Sequence, residues 1–228
     1  NAMFAAAMAF ALGIKLDAIR QGLRTFDTTF YQAPGRMNVF NEHPFKVLFD
    51  YGHNAHAVSV MADLAQRLDV TGRRIVVLAG PGDRRDEDLV AIAGAVAGRF
   101  DHYICRRDDG LRGRDGDEVP GIMSKALIAA GVAESAVSII PDEQEAIDAA
   151  LRMGRPGDLL LVFADALVRS WKQIIKFRPE GLSEAPPPTP IASPNAIEEP
   201  LFDEASFAAL GGVVRDDRGI HLSREGDD

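Results

Sequence analysis

The sequence predicts a doubly wound α/β domain built on a mostly parallel sheet. Between residues 34 and 177, short apolar runs alternate with longer segments that have helical periodicity. The runs are apolar almost without interruption, as in RIVVLA and LLLVF. A strand of this composition is buried on both faces, so helices must cover both sides of the sheet.

The elements of this domain follow one another in alternation. The predicted strands are Lys46–Asp50, Arg74–Ala79, His102–Cys105, Val137–Ile140 and Leu159–Phe163. The predicted helices are one that begins near Asn54, then Asp86–Val96, Glu118–Ala130, Glu143–Met153 and Leu167–Phe177. Acidic residues open the second helix, as the positive end of a helix dipole favours. Met37–Phe40 and Val47–Asp50 are expected to pair as an antiparallel hairpin at one edge.

Two regions flank the domain. Residues 1–33 carry apolar residues at helical spacing on both sides of Gly13, which predicts two amphipathic helices. These helices have no sheet of their own to cover, so we expect them to end a preceding domain of a longer protein. The Ala-rich start lacks the basic segment of a signal peptide and is expected to be a buried helix. Residues 178–228 are Pro-rich and acidic and are expected to be largely disordered, where only Leu201–Leu210 could form a short helix.

The composition is that of a globular chain and argues against several functions. Of 228 residues, 46% are apolar and 26% are charged, and no uncharged apolar run approaches the roughly 18 residues of a membrane span. The net charge of −9 belongs mainly to residues 178–228, which hold 11 acidic and 4 basic side chains against 23 and 21 elsewhere. Neither part suits nucleic acid. The single cysteine, Cys105, excludes an internal disulfide, fits a cytoplasmic location, and is expected to pack in the core.

Four loops at the carboxyl ends of the strands carry most of the chemistry. Open α/β sheets bind ligands at this edge. In chain order the loops contain DYGHN from Asp50, GPGDRRD from Gly80, RRDDGLRGR from Arg106, and Asp165-Ala166. Each brings carboxylates, and most bring cations. This mixture suits a nucleotide, or a ligand that has both an ammonium and a carboxylate group.

Each loop also has a purely structural interpretation. Asp50 or Asn54 can cap the next helix, His53 can be structural, the glycines can mark a tight turn, and DDGLRGR can be a solvated turn. GPGDRRDEDL does not match G-x-G-x-x-G, and the chain has no G-x-x-x-x-G-K-[ST], so neither dinucleotide nor P-loop binding is supported. No metal is assigned, because four histidines lack metal-ligand spacing: His43, His56, His102 and His221.

Together, the motifs resemble those of one family. Pro34-Gly35-Arg36, then a strand, then VLFDYGHN resembles the junction between the central and C-terminal domains of Mur ligases. There a P-G-R precedes the third domain, and D-Y-A-H-N-P follows its first long strand. GPGDRRDEDL and DDGLRGR resemble the cyanophycin synthetase branch, and AAAMAFALGI is similar to a helix near the end of the central ATPase domain. The resemblance covers about residues 1–177, although Gly52 stands where Ala is usual and Ala55 where Pro is usual.

The resemblance implies a Rossmann-like fold and an ATP-dependent acid–amino acid ligase. Its domains are 1–33 (the end of the central domain), 34–177 (the C-terminal domain) and 178–228 (the tail). The implied ATP contacts are Arg36, Asp50, His53 and Asn54. The incoming amino acid, Asp or Arg, and an Asp/Arg polymer primer are expected at Asp83, Arg84, Arg85, Asp86, Asp108, Asp109, Arg112 and Arg114. Mg²⁺ and the P-loop lysine belong mainly to the missing central domain, so this chain alone is expected to be inactive.

The residues are compatible with other functions as well. One is a nucleotide-binding Rossmann-like module without catalysis, which the absent glycine fingerprint disfavours. Another is a non-catalytic domain that binds an Asp/Arg-rich polymer through its mixed charges. A third is a peptidoglycan-precursor ligase of the same family. The sequence does not tell which amino acid is added, and a homo-oligomer is compatible with it.

Overall fold

The structure, a computed structural model, describes residues 1–179, 213–216 and 219–222. The chain divides into two units, Asn1–Gly181 and Leu182–Asp228. The helices of the first unit are α1 (Ala2–Ala11), α2 (Leu16–Thr25), α3 (Ala55–Arg67), α4 (Asp86–Val96), α5 (Glu118–Ala129), α6 (Glu143–Met153) and α7 (Leu167–Lys176). Its strands are β1 (Asn38–Phe40), β2 (Lys46–Asp50), β3 (Arg74–Gly80), β4 (His102–Arg107), β5 (Val137–Ile139) and β6 (Leu159–Phe163).

One sheet organises the first unit, with the strand order β1-β2-β6-β3-β4-β5. β1 is antiparallel to β2, and every other neighbouring pair is parallel. Because parallel strands end at the same edge, four loops lie together on what we call the carboxyl edge. They are the first loop (51–54), the second loop (81–85), the third loop (108–117) and the fourth loop (164–166). The predicted fold class, with its parallel sheet and edge hairpin, is confirmed.

The central strands are buried from both sides. In β6, Leu159, Leu161 and Phe163 pack with residues of α3, α4 and α5, whereas Leu160 and Val162 pack with residues of α6 and α7. All five are at most 1% exposed. This burial on two faces explains why the run is apolar at every position.

The predicted bounds agree closely with the structure. β2, α4, α6 and β6 have the predicted bounds, and the other elements of the domain differ by at most two residues. β4 shows the largest difference, because the charge of Arg106 predicted an end at Cys105. The strand continues through Arg106, which is fully buried. Cys105 packs in the core as predicted, and burial raises the pKa of its thiol to about 12.

The prediction that the first segment is a buried helix is wrong for this chain. α1 contains no buried residue, and Met3, Phe4 and Phe10 are 83, 74 and 68% exposed. The only buried residue of α2 is Ile19. Both faces of the sheet are already covered by other helices, so none is left for α1. Among the described residues, no helix has the length and apolar character needed to cross a bilayer.

The second unit contains two short strands that pair antiparallel. β7 (Val213–Asp216) and β8 (Gly219–Leu222) place Val213 opposite Leu222. No sequence pattern predicted this hairpin, because its apolar runs are only two residues long. The predicted helix Leu201–Leu210 and the Pro-rich run Ala185–Pro194 lie outside the described residues.

Asn38 anchors the segment between α2 and β1. Its side chain is fully buried, and its Oδ1 accepts a hydrogen bond from the N–H of Gly35 at 2.8 Å. Its Nδ2 donates to the carbonyl oxygens of Thr28 and Ala33 at 2.7 and 2.9 Å. Three backbone groups outside helices and strands are thereby satisfied. Since the start of β1 pairs with the end of β2, this anchor also brings Arg36 to the carboxyl edge.

Asn38→Ala should lower the free energy of unfolding by about 2 kcal/mol, because it removes the partner of the buried N–H of Gly35 and of the carbonyl oxygen of Thr28. Equilibrium urea unfolding of the 228-residue chain measures this loss. Asn41→Ala is the matched control, since Asn41 is exposed and should contribute less than about 0.5 kcal/mol. Equal effects of the two substitutions would contradict the anchoring role.

Candidate functional site

Asp50 joins the first loop to the turn that carries Arg36. One carboxylate oxygen accepts the N–H of Met37 at 2.8 Å, and the other accepts the N–H of Gly52 at 2.7 Å. Asp50 is only 8% exposed, so its first role is to hold this turn against the sheet. Each oxygen keeps a lone pair that a ribose hydroxyl could use, and that contact stays a prediction.

Arg36, Tyr51 and His53 form a cationic and aromatic patch beside the turn. Arg36 is exposed, and its guanidinium carbon lies 5.8 Å from the centroid of the Tyr51 ring, within cation–π range. The rings of Tyr51 and His53 lie 5.0 Å apart, and Nδ1 of His53 is 3.2 Å from the Tyr51 carbonyl oxygen. Asn54 caps α3, because its Oδ1 accepts the N–H of Ala57 at 2.9 Å.

Several charged side chains of the carboxyl edge pair with one another. The pairs are Asp83–Arg112 at 2.9 Å, Arg85–Asp88 at 3.0 Å and Asp109–Arg169 at 2.6 Å. The side chains of Asp83 and Arg112 are 57 and 48% exposed. The hydrogen bond from Arg112 lowers the pKa of Asp83, which keeps this carboxylate ionised. Water screens such a pair, so it stabilises the fold little.

Arg114 fastens the third loop to the second. Its Nε and Nη2 donate to the carbonyl oxygens of Gly82 and Arg84 at 2.9 and 2.8 Å. The guanidinium also pairs with Asp86 and Glu118, both at 2.6 Å. The side chain is only 17% exposed, so contacts within the fold occupy it. Its role as a substrate contact stays a prediction.

The close approach of these two loops explains a glycine in the second. A Cβ atom at Gly82 would lie 2.1 Å from the carbonyl oxygen of Leu111. No side chain fits this gap without moving the backbone of the third loop. Gly82 therefore serves the packing of the loops, as the structural interpretation of the sequence allowed.

A buried ionic cluster lies beneath the loops, centred on Arg106 of β4. Its Nη2 is 2.8 Å from Glu143, and its Nη1 is 2.9 Å from Asp165. The guanidinium also donates to the carbonyl oxygens of Phe163 and Arg107 at 2.7 to 3.2 Å. All of its N–H groups thus have acceptors, which burial of an arginine requires.

Glu143, the first residue of α6, is the second centre of the cluster. Its Oε2 accepts the N–H of Asp165 at 3.0 Å. Its Oε1 accepts the N–H of Ala166 at 3.2 Å and the hydroxyl of Ser170. Glu143 and Ser170 are both fully buried. The cluster therefore connects β4, the fourth loop, α6 and α7.

One guanidinium cannot neutralise the three carboxylates near it, so the cluster favours a bound proton. Burial raises the pKa of Glu143 to about 7, and the carboxyl group of Asp165 adds to the rise. Burial also raises the pKa of Asp108, with the charge of Asp165 as the second cause. Burial opposes ionisation of Asp165 too, yet hydrogen bonding with Glu143 and the charge of Arg106 lower its pKa. Of the two, Glu143 is therefore the one that takes up a proton first as the pH falls.

Asp108 is the least satisfied carboxylate of the carboxyl edge. It is 8% exposed, yet no described residue donates a hydrogen bond to its carboxylate. Its ion-pair partner is Arg106, whose Nη1 lies 3.8 Å from Oδ1. The side chain faces a small cleft that is also lined by Tyr51, His53 and Asp165. A cationic ligand in this cleft would find an acceptor ready to bind it.

His53 also lines a neighbouring cleft with Asn54, Arg84 and Asp88. Arg84 is exposed, and within the described part of the chain its side chain forms no ion pair. The two clefts share the imidazole of His53. An available cation, Arg84, and an available carboxylate, Asp108, therefore line neighbouring clefts that have His53 in common.

The structure brings the predicted site residues to one edge but gives them different surroundings. In the described part of the chain, those whose side chains neither form a hydrogen-bonded ion pair nor accept a backbone N–H are Arg36, His53, Arg84 and Asp108. Asp83 and Arg112 hold each other in one exposed pair. The remaining ones hold the loops in place: Asp50, Asn54, Arg85, Asp86, Asp109 and Arg114. Sequence analysis missed Glu143, because a glutamate that opens a helix is ordinary and gives no sign of burial.

The chain is similar to ligases of one family. The family model of the Mur ligase glutamate ligase domain matches residues 35–166. Cyanophycin synthetase of Geminocystis herdmanii is 38% identical over 177 residues, which cover 78% of this chain and 20% of that protein. The cyanophycin synthetase of Synechocystis sp. is 36% identical over 181 residues, covering 79 and 20%. The chain thus spans about one fifth of the length of these curated relatives.

The names of a second group of relatives give a different substrate. UDP-N-acetylmuramoyl-L-alanyl-D-glutamate–2,6-diaminopimelate ligase of Geobacter metallireducens is 32% identical over 176 residues, covering 71% of this chain and 33% of that protein. Among solved structures, E. coli FolC in complex with DHPP and ADP gives a TM-score of 0.55 at 22% identity, covering 75% of this chain and 37% of that one. A murein peptide ligase of Psychrobacter arcticus gives 0.54 at 17% identity, covering 78 and 36%. These structural likenesses show the fold alone.

Arg114→Ala should lower the free energy of unfolding by about 1 to 2 kcal/mol, because it releases two carbonyl oxygens and two carboxylates that fasten the loops. Urea unfolding measures the loss, and limited proteolysis should show earlier cleavage in the third loop. Arg84→Ala, at an exposed side chain of the second loop, should have little effect on either measurement. An unchanged midpoint and cleavage pattern in Arg114→Ala would refute the fastening role.

Proposed function

This chain belongs to the Mur ligase family as its glutamate ligase domain, and we propose that it serves an ATP-dependent, cyanophycin synthetase-like acid–amino acid ligase. In this proposal the domain closes over ATP and presents the incoming amino acid and the growing polymer at its carboxyl edge. The chemistry is formation of an amide bond after ATP has phosphorylated a carboxylate. The similarity to cyanophycin synthetases and the mixed charges of the edge support it.

The observation that carries the proposal is the open carboxylate of Asp108 beside a cation that can change partners. An amino acid presents an ammonium and a carboxylate group. Asp108 offers a desolvated acceptor for the ammonium, where a charge-assisted hydrogen bond is strong. Arg112 is held only by its exposed pair with Asp83, which costs little to exchange for a ligand carboxylate. Arg84 adds a further cation in the neighbouring cleft that His53 also lines.

The nucleotide is proposed to lie against Arg36, Tyr51 and His53. A guanidinium suits the geometry and charge of a phosphate, and Arg36 is exposed at the edge. Asp50 acts here first through the fold, because it holds the turn on which Arg36 lies. Its proposed contact with the ribose, and that of Asn54 with the same pocket, use the oxygen lone pairs that their backbone hydrogen bonds leave free.

The remainder of the protein is proposed to hold Mg²⁺ and the P-loop lysine. In the described part of the chain, no group of three or more His, Cys, Asp or Glu residues is placed to hold a metal ion. The sequence also contains no G-x-x-x-x-G-K-[ST]. When bound, Mg²⁺ neutralises charge on the transferred phosphoryl group. The part of this chain is to bring Arg36 to the phosphates and to orient the amine.

A peptidoglycan-precursor ligase is the second candidate. The identity to the diaminopimelate ligase of Geobacter metallireducens favours it. Both candidates bind an amino acid with charged groups at each end, so the clefts suit either. The amino acid that supports turnover distinguishes them.

The isolated 228-residue chain should release no phosphate from ATP above background with any amino acid. Without a P-loop lysine and Mg²⁺ ligands, phosphoryl transfer loses its main electrostatic stabilisation. The full-length protein, assayed in parallel with an Asp/Arg primer, should turn over with Asp or Arg. Turnover by the isolated chain would refute the proposal. Turnover of the full-length protein with diaminopimelate alone would establish the second candidate.

In the full-length protein, Asp108→Asn should raise the KM for the amino acid roughly tenfold or more, because it removes a charged acceptor for the ammonium. Arg112→Ala should act on the same KM or on that of the primer, whereas Arg36→Ala should impair the use of ATP. Phosphate release against each substrate concentration measures these effects. Asp69→Asn, at an exposed aspartate of the opposite edge, is the matched control. Wild-type kinetics in both Asp108→Asn and Arg112→Ala would remove the substrate assignment.

A further inference from the structure

The buried cluster of Arg106 lies directly under the proposed amino acid site. We propose that Arg106, held by Glu143 and Asp165, is a positioning residue of the third loop, which fixes the Asp108 carboxylate toward the cleft and leaves it open to an ammonium group. This inference rests on the proposed function, because it names what holds the proposed substrate contact in place.

Arg106 itself has no freedom to move. Its side chain is 1% exposed, and its guanidinium meets carbonyl oxygens of Phe163 and Arg107 and carboxylates of Glu143 and Asp165. These acceptors belong to two strands, one helix and one loop. A guanidinium is planar, so acceptors in a fixed arrangement determine both its position and its orientation.

Arg106 restrains the backbone of the third loop on both sides of Asp108. Before it, Nη1 of Arg106 donates to the carbonyl oxygen of Arg107 at 2.7 Å. After it, the N–H of Asp109 donates to Asp165, which Arg106 holds, at 3.3 Å. The backbone is therefore restrained at both neighbours of Asp108.

The carboxylate of Asp108 is attracted by the cluster but not occupied by it. The distance of 3.8 Å between Nη1 of Arg106 and Oδ1 is close enough for attraction and too long for a hydrogen bond. An arginine bonded directly to Asp108 would compete with a ligand ammonium. Because the guanidinium of Arg106 bonds to Glu143 and Asp165, the cluster restrains Asp108 and leaves the acceptor sites of the Asp108 carboxylate unfilled.

An arginine that supports the fold away from the third loop provides a comparison, and Arg73, whose side chain is 37% exposed, is such a residue. At the opposite edge of the same sheet, Arg73 lies 2.7 Å from Asp158, which is 3% exposed, and donates to the carbonyl oxygen of Met153 at 2.6 Å. Like Arg106, it bonds a buried carboxylate and a carbonyl oxygen, and it has no connection to the third loop. Arg73→Lys is therefore the matched control for Arg106→Lys.

In the full-length ligase, Arg106→Lys should raise the KM for the amino acid about tenfold or more, since an ammonium cannot meet acceptors arranged around a plane and the loop shifts. The KM for ATP should change by less than about twofold. Arg73→Lys should leave both KM values unchanged. In hydrogen–deuterium exchange, amides of the third loop should exchange faster in Arg106→Lys and not in Arg73→Lys.

Two kinetic results would overturn the inference. Equal changes in the amino acid KM for both lysine variants would mean that the cluster acts only through stability. An equal rise in the KM for ATP would mean that it holds the whole edge. If the wild-type protein ligates no amino acid, the proposed function fails. The positioning role of Arg106 is then tested by hydrogen–deuterium exchange without the kinetics. Faster exchange of the third loop confined to Arg106→Lys supports it, and unchanged exchange overturns it.

A second variant covers the case in which Arg106→Lys does not fold. Arg106→Met combined with Glu143→Gln removes the guanidinium together with the carboxyl group closest to it, so that Glu143 is not left buried without its partner. The introduced amide is not charged, yet its carbonyl oxygen can still accept from the fourth loop. A folded double variant with a raised amino acid KM supports the positioning role, and one with the wild-type KM overturns it.

Discussion

The carboxyl edge depends on the burial of a single guanidinium. Removing a charge from water costs several kcal/mol unless protein groups replace its hydration, and Arg106 is fully buried. The groups that replace the hydration of Arg106 come from β4, β6, the fourth loop and the start of α6. None of these elements can shift alone without leaving the charge incompletely paired. The register of the central strands and the course of the loops above them are therefore fixed by the same interaction.

Most of the fold could be predicted, because burial on two faces leaves a direct mark on the sequence. Leu159–Phe163 is apolar at every position since its alternate side chains enter two cores. The same dependence on apolar runs leaves Arg106 out of the predicted strand, because a charged residue marks the end of the run. Only partners distant in sequence make its burial possible. α1 was predicted as a helix correctly and as buried wrongly, because apolar periodicity indicates a face and not what covers it.

The candidate site could be predicted at the level of loops but not of individual side chains. Parallel strands bring the loops to one edge, and that followed from the pattern of runs. Which charged side chains form ion pairs with one another depends on distances that the sequence does not contain. Arg114 and Glu118 are only four residues apart, so their contact is local. Asp109 and Arg169 are 60 residues apart, and nothing in either segment indicates their contact.

The edge contains two kinds of ion pair that differ in how readily they exchange. Asp83 and Arg112 are about half exposed, so water and salt weaken their attraction and a ligand can separate them at little cost. Arg106 and Glu143 are hidden from water, and separating them would leave a buried guanidinium short of an acceptor. A ligand with an ammonium and a carboxylate can therefore displace the first pair while the second keeps the loop in place. Because the loop is ordered before the ligand arrives, little of the binding free energy is lost in ordering it.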